Sequence, residues 1–228
     1  MAAHKISVTT PSLAEGARSI IDAAEALFSE NGFAAVSLND VAERAGVSKA
    51  NIFHHFESKD GLYLAVLRSA CESVPVIHDL ASKDTPYKER LTTFIRSQLE
   101  NMLRRERVSR LIQRELFERG PLQAKQLAEQ VFGKNFSYLV GLLREGQAQG
   151  ELREDIDPAL VATLLISTKV FFFETRHVLR HFSEVDFADE PARYCDMVID
   201  ALLTGIGTRT QPLPGALKLP RRKKPKEE

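Results

Sequence analysis

Two serine–lysine pairs near the amino end of the chain, Ser48-Lys49 and Ser58-Lys59, have the chemistry of phosphate-binding sites. A serine that precedes a helix caps it, because its hydroxyl accepts a hydrogen bond from a free backbone N–H group. Each lysine then occupies the first helical position, where a cation opposes the helix dipole. A phosphate bound there would satisfy both the lysine and the free N–H groups. The alternative is that both lysines are solvated surface residues.

The elements around the first pair predict a helix-turn-helix. A short helix, Leu38 to Ala45, follows Ser37, and Asp40 stands where a capping box requires an acceptor. Gly46 suits the tight turn before the second helix, which begins at Lys49. The side expected to be buried carries Leu38, Val41, Ala42, Ala45, Val47, Ile52 and Phe56, and the outward side carries Asn39, Lys49, Ala50, Asn51, Phe53 and His54. No acidic residue lies between Ser48 and Phe56 to repel a phosphate.

A longer pattern surrounds this motif. It comprises an Ile-Ile-Asp-Ala-Ala-Glu-Ala-Leu-Phe helix, Gly32-Phe33, Ser37-Leu38, Asp40-Val41-Ala42, Ala45-Gly46-Val47-Ser48, Phe56 and Ser58-Lys59. This gap-free pattern, from about Ser19 to Leu67, resembles that of the TetR family of bacterial transcriptional regulators.

The resemblance implies two kinds of DNA contact. Residues at positions that face base edges are Asn39, Lys49, Ala50 and Phe53, and residues at positions that touch the phosphate backbone are Ser37, Asn51, His54, His55 and Lys59. Phe53 stands where the family usually has tyrosine. A hydroxyl contact is therefore lost, while the ring can still pack against a thymine methyl group.

The charge balance of the chain does not by itself indicate nucleic-acid binding. Basic and acidic residues number 31 each, and the first 70 residues hold six basic residues against eight acidic ones. DNA affinity must therefore come from the arrangement of charges on one face, and we expect modest non-specific binding.

The fold class predicted for the chain is all-α, because no stretch alternates convincingly as a strand does. We expect a flexible arm (1–12), a helix-turn-helix DNA-binding domain (13–60), a helical ligand-binding and dimerisation domain (61–206) and a disordered basic tail (207–228). The predicted helices outside the motif are Leu13 to Asn31, Lys59 to about Leu80 with a kink at Pro75, Tyr87 to Arg105, Val108 to Arg119, Leu122 to Gln149, Pro158 to His181 and Pro191 to Leu203.

A cytoplasmic protein without a cofactor is the expectation from the remaining composition. Cys71 and Cys195 are too few for a disulfide framework and lack zinc spacing. The most apolar stretch, Leu160 to Phe173, is interrupted by Lys169 and is too short to span a bilayer, and no signal peptide is evident.

Polar residues on stripes that should be buried indicate where a small molecule could bind. Gln98 shares a helical face with Leu91, Ile95 and Met102, and Glu115 shares one with Val108, Leu111 and Ile112. Buried polar groups need partners, so these two either face a ligand cavity or bond to neighbouring helices. The candidate ligand residues are Phe94, Gln98, Met102, Arg114, Glu115, Phe136 and Phe172. The phenylalanines and the family resemblance favour an apolar or amphipathic effector, although such aromatic residues also build ordinary cores.

Glu174, His177 and His181 have helical spacings that place three metal-ligating side chains on one face. Di-iron bundles need a second such group on another helix, and the chain has none. Arg176 and Arg180 flank the trio, as is typical of a solvated or interface surface. We therefore expect no metal and no catalysis, with a metal-dependent helical-bundle enzyme as the alternative function.

The last two long helices are apolar on more than one side, which predicts burial against a partner. In the family that the chain resembles, these helices form a homodimer. Two reading heads would then lie about 34–36 Å apart or further, and the operator would be roughly palindromic. The function implied is a homodimeric repressor released by a small molecule, with a DNA-binding regulator that has no inducer as a further alternative.

Overall fold

The computed structural model describes residues 13–71, 85–118 and 121–204, and this part of the chain is helical without a strand. The expected arm (1–12), the kink at Pro75 and the basic tail (207–228) lie outside the described residues. The amino-terminal helices are α1 (Leu13–Ala35), α2 (Leu38–Ala45), α3 (Lys49–Phe56) and α4 (Lys59–Cys71). The helices that follow are α5 (Tyr87–Arg104), α6 (Glu106–Glu118), α7 (Pro121–Gln126), α8 (Gly133–Ala148), α9 (Pro158–Leu179) and α10 (Pro191–Thr204).

Two helix boundaries differ from the sequence predictions for physical reasons. Gly32 interrupts α1 with φ 78° and ψ 165°, as predicted, but the chain resumes a helical turn and α1 ends at Ala35. The single helix predicted from Leu122 to Gln149 is divided by a π-helical segment, Leu127–Phe132, which joins α7 to α8. A Cβ atom on Gly133 would lie 2.8 Å from the carbonyl oxygen of Ala128, so glycine suits the end of this segment.

The first hydrophobic core belongs to the helix-turn-helix and extends beyond it. Ile20, Phe28, Val41 and Ile52 are fully buried in the amino-terminal helices. The same core includes much of α4 and reaches α6 and the π-helical segment through Leu62, Val66, Leu67, Val108, Leu111 and Leu127. The first three helices therefore pack on α4 as one body. The predicted domain boundary at residue 60 instead assigned most of α4 to the ligand-binding and dimerisation domain.

The second core holds α5, α8, α9 and α10 together. Leu91, Leu99, Leu143 and Phe172 are completely buried in it. Arg90 of α5 is also buried, and its guanidinium pairs with Glu145 of α8, which supplies the partner that a buried charge requires. The two cores meet along α4 and α6, so the carboxyl-terminal helices support the amino-terminal ones from one side.

Helix α9 is the one described helix that is long and apolar enough to cross a membrane by length and composition alone. It has 22 residues and contains an 18-residue window of mean hydropathy 1.4, which is longer than the predicted apolar stretch from Leu160 to Phe173. A core helix of a soluble protein meets the same criterion, so one such helix is weak support for a membrane span. Only 28% of its apolar window is buried, and the rest presents Leu160, Leu164, Phe171 and Val178 outward.

The first turn of α4 has no room for a side chain at Gly61, where it meets the turn from α3. A Cβ atom there would overlap the carbonyl oxygen of Phe56. We expect Gly61→Ala to lower the free energy of unfolding by about 1–3 kcal/mol, measured by urea denaturation, because the turn must open to admit the methyl group.

Gly141→Ala is the matched control, since nothing lies within 4 Å of a Cβ atom at that position of α8. It should leave stability unchanged or raise it by up to about 1 kcal/mol, because alanine is the better helix former. Equal stability of the two variants would contradict the tight turn.

Candidate nucleic-acid interface and ligand cavity

Reciprocal hydrogen bonds fix the start of α2. The Ser37 hydroxyl accepts from the Asp40 N–H at 3.2 Å, and the Ser37 N–H donates to the Asp40 carboxylate at 2.8 Å, which is the predicted capping box. The Ser37 N–H group also holds the pKa of the Asp40 carboxyl below its usual value. Gly46 ends the helix in the left-handed conformation, at φ 67° and ψ 32°, so the turn to α3 is as tight as predicted.

Helix α3 presents the predicted contact residues to solvent. Ser48 caps it by accepting from the Asn51 N–H at 3.2 Å, and Ile52 is fully buried against α1 and α2. Of the nine predicted DNA-contacting residues, Ser37, Asn39, Lys49, Ala50, Phe53 and His54 are exposed, and Asn51, His55 and Lys59 are half-buried. Eight of them belong to α2, α3 and their amino-terminal caps, and Lys59 is the first residue of α4.

Phe53 is an unusual surface residue, with 45% of its area exposed on α3. The Lys49 ammonium lies 6.0 Å from the centre of its ring, at the limit of a cation–π contact. An exposed aromatic ring beside a lysine offers an apolar surface and a cation to the same partner. This combination suits a DNA groove, where a thymine methyl group lies close to acceptor atoms and phosphates.

Lys59 is held differently from Lys49. Its ammonium lies 4.4 Å from the centre of the Phe33 ring and donates to the carbonyl oxygen of Ala34 at 3.4 Å. The preceding Ser58 caps α4 by accepting from the Gly61 N–H at 2.9 Å, as its position predicts. Lys59 therefore has a fixed position at the start of α4, whereas the side chain of Lys49 is exposed to solvent beside Phe53.

A cavity of about 450 Å³ lies beneath α4, within the range of small-molecule sites. Its walls come from α4, α5, α6, the π-helical segment, α8 and α9. Four of the predicted ligand residues line it: Phe94, Gln98, Met102 and Phe136. The walls also include Asn101, Gln113, Phe132, Asn135 and Lys169, which the sequence analysis did not select as ligand residues.

Arg114, Glu115 and Phe172 are not among the residues that line the cavity. Glu115 is buried and accepts a hydrogen bond from the Tyr63 hydroxyl of α4 at 2.7 Å, so the structural alternative describes it correctly. Arg114 is exposed on the outer side of α6. Phe172 is completely buried in the second core, and its ring stacks on Tyr194 with centres 4.2 Å apart. These three residues do not line this cavity, because their helices turn them toward neighbouring helices or solvent.

Two of the missed residues hold the end of α4. Asn101 of α5 donates to the carbonyl oxygen of Ala70 at 2.7 Å, and Asn135 of α8 donates to that of Cys71 at 2.6 Å. Side-chain amides from two other helices thus bond to the backbone carbonyl groups of the last described residues of α4. Their amides form part of the cavity wall, which makes the end of α4 and the cavity one structure.

The proposed metal trio does not form a cluster. Glu174 lies 3.6 Å from the Arg110 guanidinium, and His177 and His181 are exposed. Helix α9 ends at Leu179, so His181 falls beyond the helix that was to align it. Within the described ranges, no three His, Cys, Asp or Glu side chains are grouped to hold a metal ion.

Lys169 is the basic side chain of the cavity wall, and its pKa is lowered. It lies on α9 and is only 5% exposed, and this burial lowers the pKa of its ammonium group to about 8. Burial likewise raises the pKa of the Cys195 thiol nearby to about 11. The one sequence signal for Lys169 was its interruption of an otherwise apolar run.

The lowered pKa of Lys169 has a defined effect on stability. Between pH 8 and pH 10.5 the unfolded chain binds more protons at this group than the folded chain, so its cost is full below pH 8 and disappears toward pH 10.5. We therefore expect Lys169→Met to raise the free energy of unfolding by roughly 1–3 kcal/mol at pH 7, and by less as the pH rises.

The measurement is urea denaturation of the parent and the variant at pH 7, 8, 9 and 10. Lys134→Met, at an exposed position of α8, is the control and should change stability by less than about 0.5 kcal/mol throughout. A Lys169→Met variant less stable than the parent at pH 7 would show that the lysine is a net stabilising group.

Two family models match the chain. The model described as "Bacterial regulatory proteins, tetR family" covers residues 20–66, and "Tetracyclin repressor-like, C-terminal domain" covers residues 88–202. The second match includes most of the cavity, which lies beyond the pattern from about Ser19 to Leu67.

Several curated relatives are transcriptional regulators by name. The HTH-type transcriptional repressor NicS of Pseudomonas putida is 26% identical over 82% of this chain and 90% of its own. The Fatty acid metabolism regulator protein of Bacillus subtilis is 25% identical over 65% of this chain and 77% of its own. The HTH-type transcriptional regulator RutR of Escherichia coli K12 is 34% identical over 48% of this chain, and that alignment spans only about half of RutR, 52%.

Solved structures share the fold. FadR of Bacillus subtilis, in complex with stearoyl-CoA, superposes with a TM-score of 0.68 at 21% identity, over 83% of this chain and 99% of its own. A TetR-family regulator from Syntrophomonas wolfei reaches a TM-score of 0.71 at 16% identity, over 87% of this chain and all of its own, 100%.

Proposed function

Because the chain belongs to the TetR family of transcriptional regulators, we propose that it is a homodimeric repressor that leaves its operator when a small molecule fills the cavity. Regulators of this family bind DNA operators and act as dimers. One observation supports the release of DNA by a ligand: Asn101 and Asn135 line the cavity and also bond to the end of α4.

The proposed operator contact is the exposed surface of α2 and α3. Lys49, Phe53 and Asn39 face base edges, and the capped helix starts at Ser37, Ser48 and Ser58 receive phosphates. The solvent exposure of these residues and the absence of acids from the first turn of α3 support this assignment. The resulting site reads few bases for each head, so specificity requires two heads on a palindromic operator.

A homodimer through α9 and α10 explains the apolar surface of the second core. Leu160 is 56% exposed, Phe171 60% and Val178 58%, and Met197 of α10 is also exposed. Contiguous apolar side chains of this size are costly in water and are typical of a protein interface. A second copy of the chain on this surface would bury them and would fix the spacing between the two heads.

The proposed link between cavity and operator is α4. Its amino-terminal half packs in the same core as the DNA-contacting helices, and its last carbonyl groups are held by the Asn101 and Asn135 side chains. Arg105 adds a third hold, since it donates to the Ser69 carbonyl oxygen at 2.7 Å and pairs with Glu25 of α1.

A ligand that bonds to the Asn101 or Asn135 amides, or that pushes them aside, favours conformations in which the end of α4 is released. A ligand shifts an equilibrium only by its differential affinity for the two states, and about 1.4 kcal/mol changes operator affinity tenfold. An apolar or amphipathic small molecule fits the cavity, whose walls are mostly aliphatic and aromatic. A regulator of this kind acts where the chromosome lies, in the cytoplasm.

Catalysis has little support beside this function. The relatives carry the names of regulators, and the alternative of a metal-dependent enzyme depended on a trio whose glutamate is paired with arginine. The other alternative, a regulator without an inducer, predicts operator binding that no small molecule changes.

We expect the full chain to select one palindromic sequence from random duplex DNA. Lys49→Ala and Asn51→Ala should each weaken binding to that sequence by about 1–3 kcal/mol, measured by fluorescence anisotropy at fixed salt. Lys134→Ala, which removes an exposed cation from α8, should bind like the parent. Failure to select any sequence at low salt, with a confirmed dimer, would refute the DNA-binding assignment.

The role of α4 predicts a separate effect. Asn101→Ala combined with Asn135→Ala removes two side-chain hydrogen bonds to carbonyl groups of α4, at about 1 kcal/mol for each. We expect faster hydrogen–deuterium exchange in the last turn of α4 and an altered operator affinity, although neither residue lies at the operator surface.

Gln149→Ala is the control, since that amide donates to Glu145 of its own helix and lies away from α4. It should change neither the exchange of α4 nor operator affinity. Unchanged operator affinity in the double variant, despite faster exchange, would show that the end of α4 does not control operator binding.

A further inference from the structure

The cavity wall contains one charged side chain among the residues that line it, and that side chain is Lys169. Its ammonium has no hydrogen bond or ion pair with any described residue, and the groups that act on it electrostatically are the thiols of Cys71 and Cys195. Neutral thiols are poor partners for a cation. An ammonium group in an apolar site of this kind is costly unless an anion accompanies it.

A second polar atom of the same wall also lacks a partner. The Oε1 atom of Gln113 is buried and accepts no hydrogen bond within the described chain. Buried polar atoms in native proteins are almost always paired, and exceptions mark sites where a ligand or ion completes the bonding. An ammonium donor and an amide-oxygen acceptor in one apolar cavity therefore point to a ligand that carries both an acceptor and a donor group.

We propose that the effector is an apolar organic anion whose single acidic group pairs with Lys169. Its apolar body lies among the rings of Phe94, Phe132 and Phe136. This inference rests on the proposed function, because it identifies the ligand class of the same cavity. A polyanion such as a nucleotide would leave its other negative charges without cations among the residues that line the cavity.

The burial of Lys169 gives the cavity its selectivity. A neutral ligand leaves the ammonium without a counter-charge in the apolar cavity, whereas an anion supplies one. The lowered pKa agrees with this, since at neutral pH the group is still mostly protonated and ready to pair.

The test compares two dyes that differ by one anionic group. 8-Anilinonaphthalene-1-sulfonate is an apolar monoanion, and N-phenyl-1-naphthylamine is the same molecule without the sulfonate. Titration of the full chain, followed by dye fluorescence, gives both dissociation constants. We expect Lys169→Met to weaken binding of the sulfonate at least about tenfold and to change binding of the neutral dye by less than about threefold.

Two further variants identify the site. Lys134→Met removes a cation just outside the cavity and should bind both dyes like the parent. Met102→Trp places a larger side chain in the cavity and should weaken both dyes together. The melting temperature of Lys169→Met confirms that it is folded, since that variant is expected to be the more stable protein.

The outcomes separate this inference from the proposed function. Equal binding of the sulfonate by the parent and Lys169→Met, with both dyes lost in Met102→Trp, would refute the anion preference and leave the cavity as a ligand site. Binding of neither dye, or binding that Met102→Trp does not change, would refute the cavity as a ligand site and the inference with it. The operator measurements remain independent of both results.

Discussion

The end of α4 is the constraint on which the two halves of the structure depend. The carbonyl groups of its last three described residues accept hydrogen bonds from side chains that lie outside α4. Those side chains lie on α5 and α8 and at the corner between α5 and α6. The other end of α4 is packed beneath the helix-turn-helix, and the buried Tyr63–Glu115 hydrogen bond ties its middle to α6. One helix therefore shares in both the DNA-contacting body and the cavity wall, and neither can change shape alone.

Buried charged side chains in this region differ in whether they have a partner. Glu115 and Arg90 are buried, but each has a partner, Tyr63 and Glu145 respectively, so their burial adds specificity to the packing. Lys169 is buried at a similar depth without such a partner. On the proposal made above, the difference separates buried charges that hold helices together from one that binds the ligand. A stability cost retained at one position is typical of a binding site.

The helix-turn-helix was predictable because its signals are local. The capping box of Ser37 and Asp40, the left-handed Gly46 and the Ser48 cap each involve residues within five positions of one another. The cavity was predictable only in part, because its walls come from helices that are up to about a hundred residues apart. Gln98 and Glu115 are both polar residues on apolar stripes, and the sequence does not distinguish the one that lines the cavity from the one that bonds to Tyr63. Asn101 and Asn135 gave no signal, since their partners are backbone atoms of a distant helix.

The π-helical segment between α7 and α8 amounts to one residue more than an α-helix would use for the same turn. One residue corresponds to about 100° of rotation, so removing it would swing every later side chain of α8 around the helix axis. Asn135 and Phe136 would then leave the cavity, and Leu139 and Leu143 would leave the second core. The length of this segment is therefore more tightly constrained than its composition. A substitution here changes one side chain of the cavity, whereas an insertion or deletion changes which residues of α8 face the cavity.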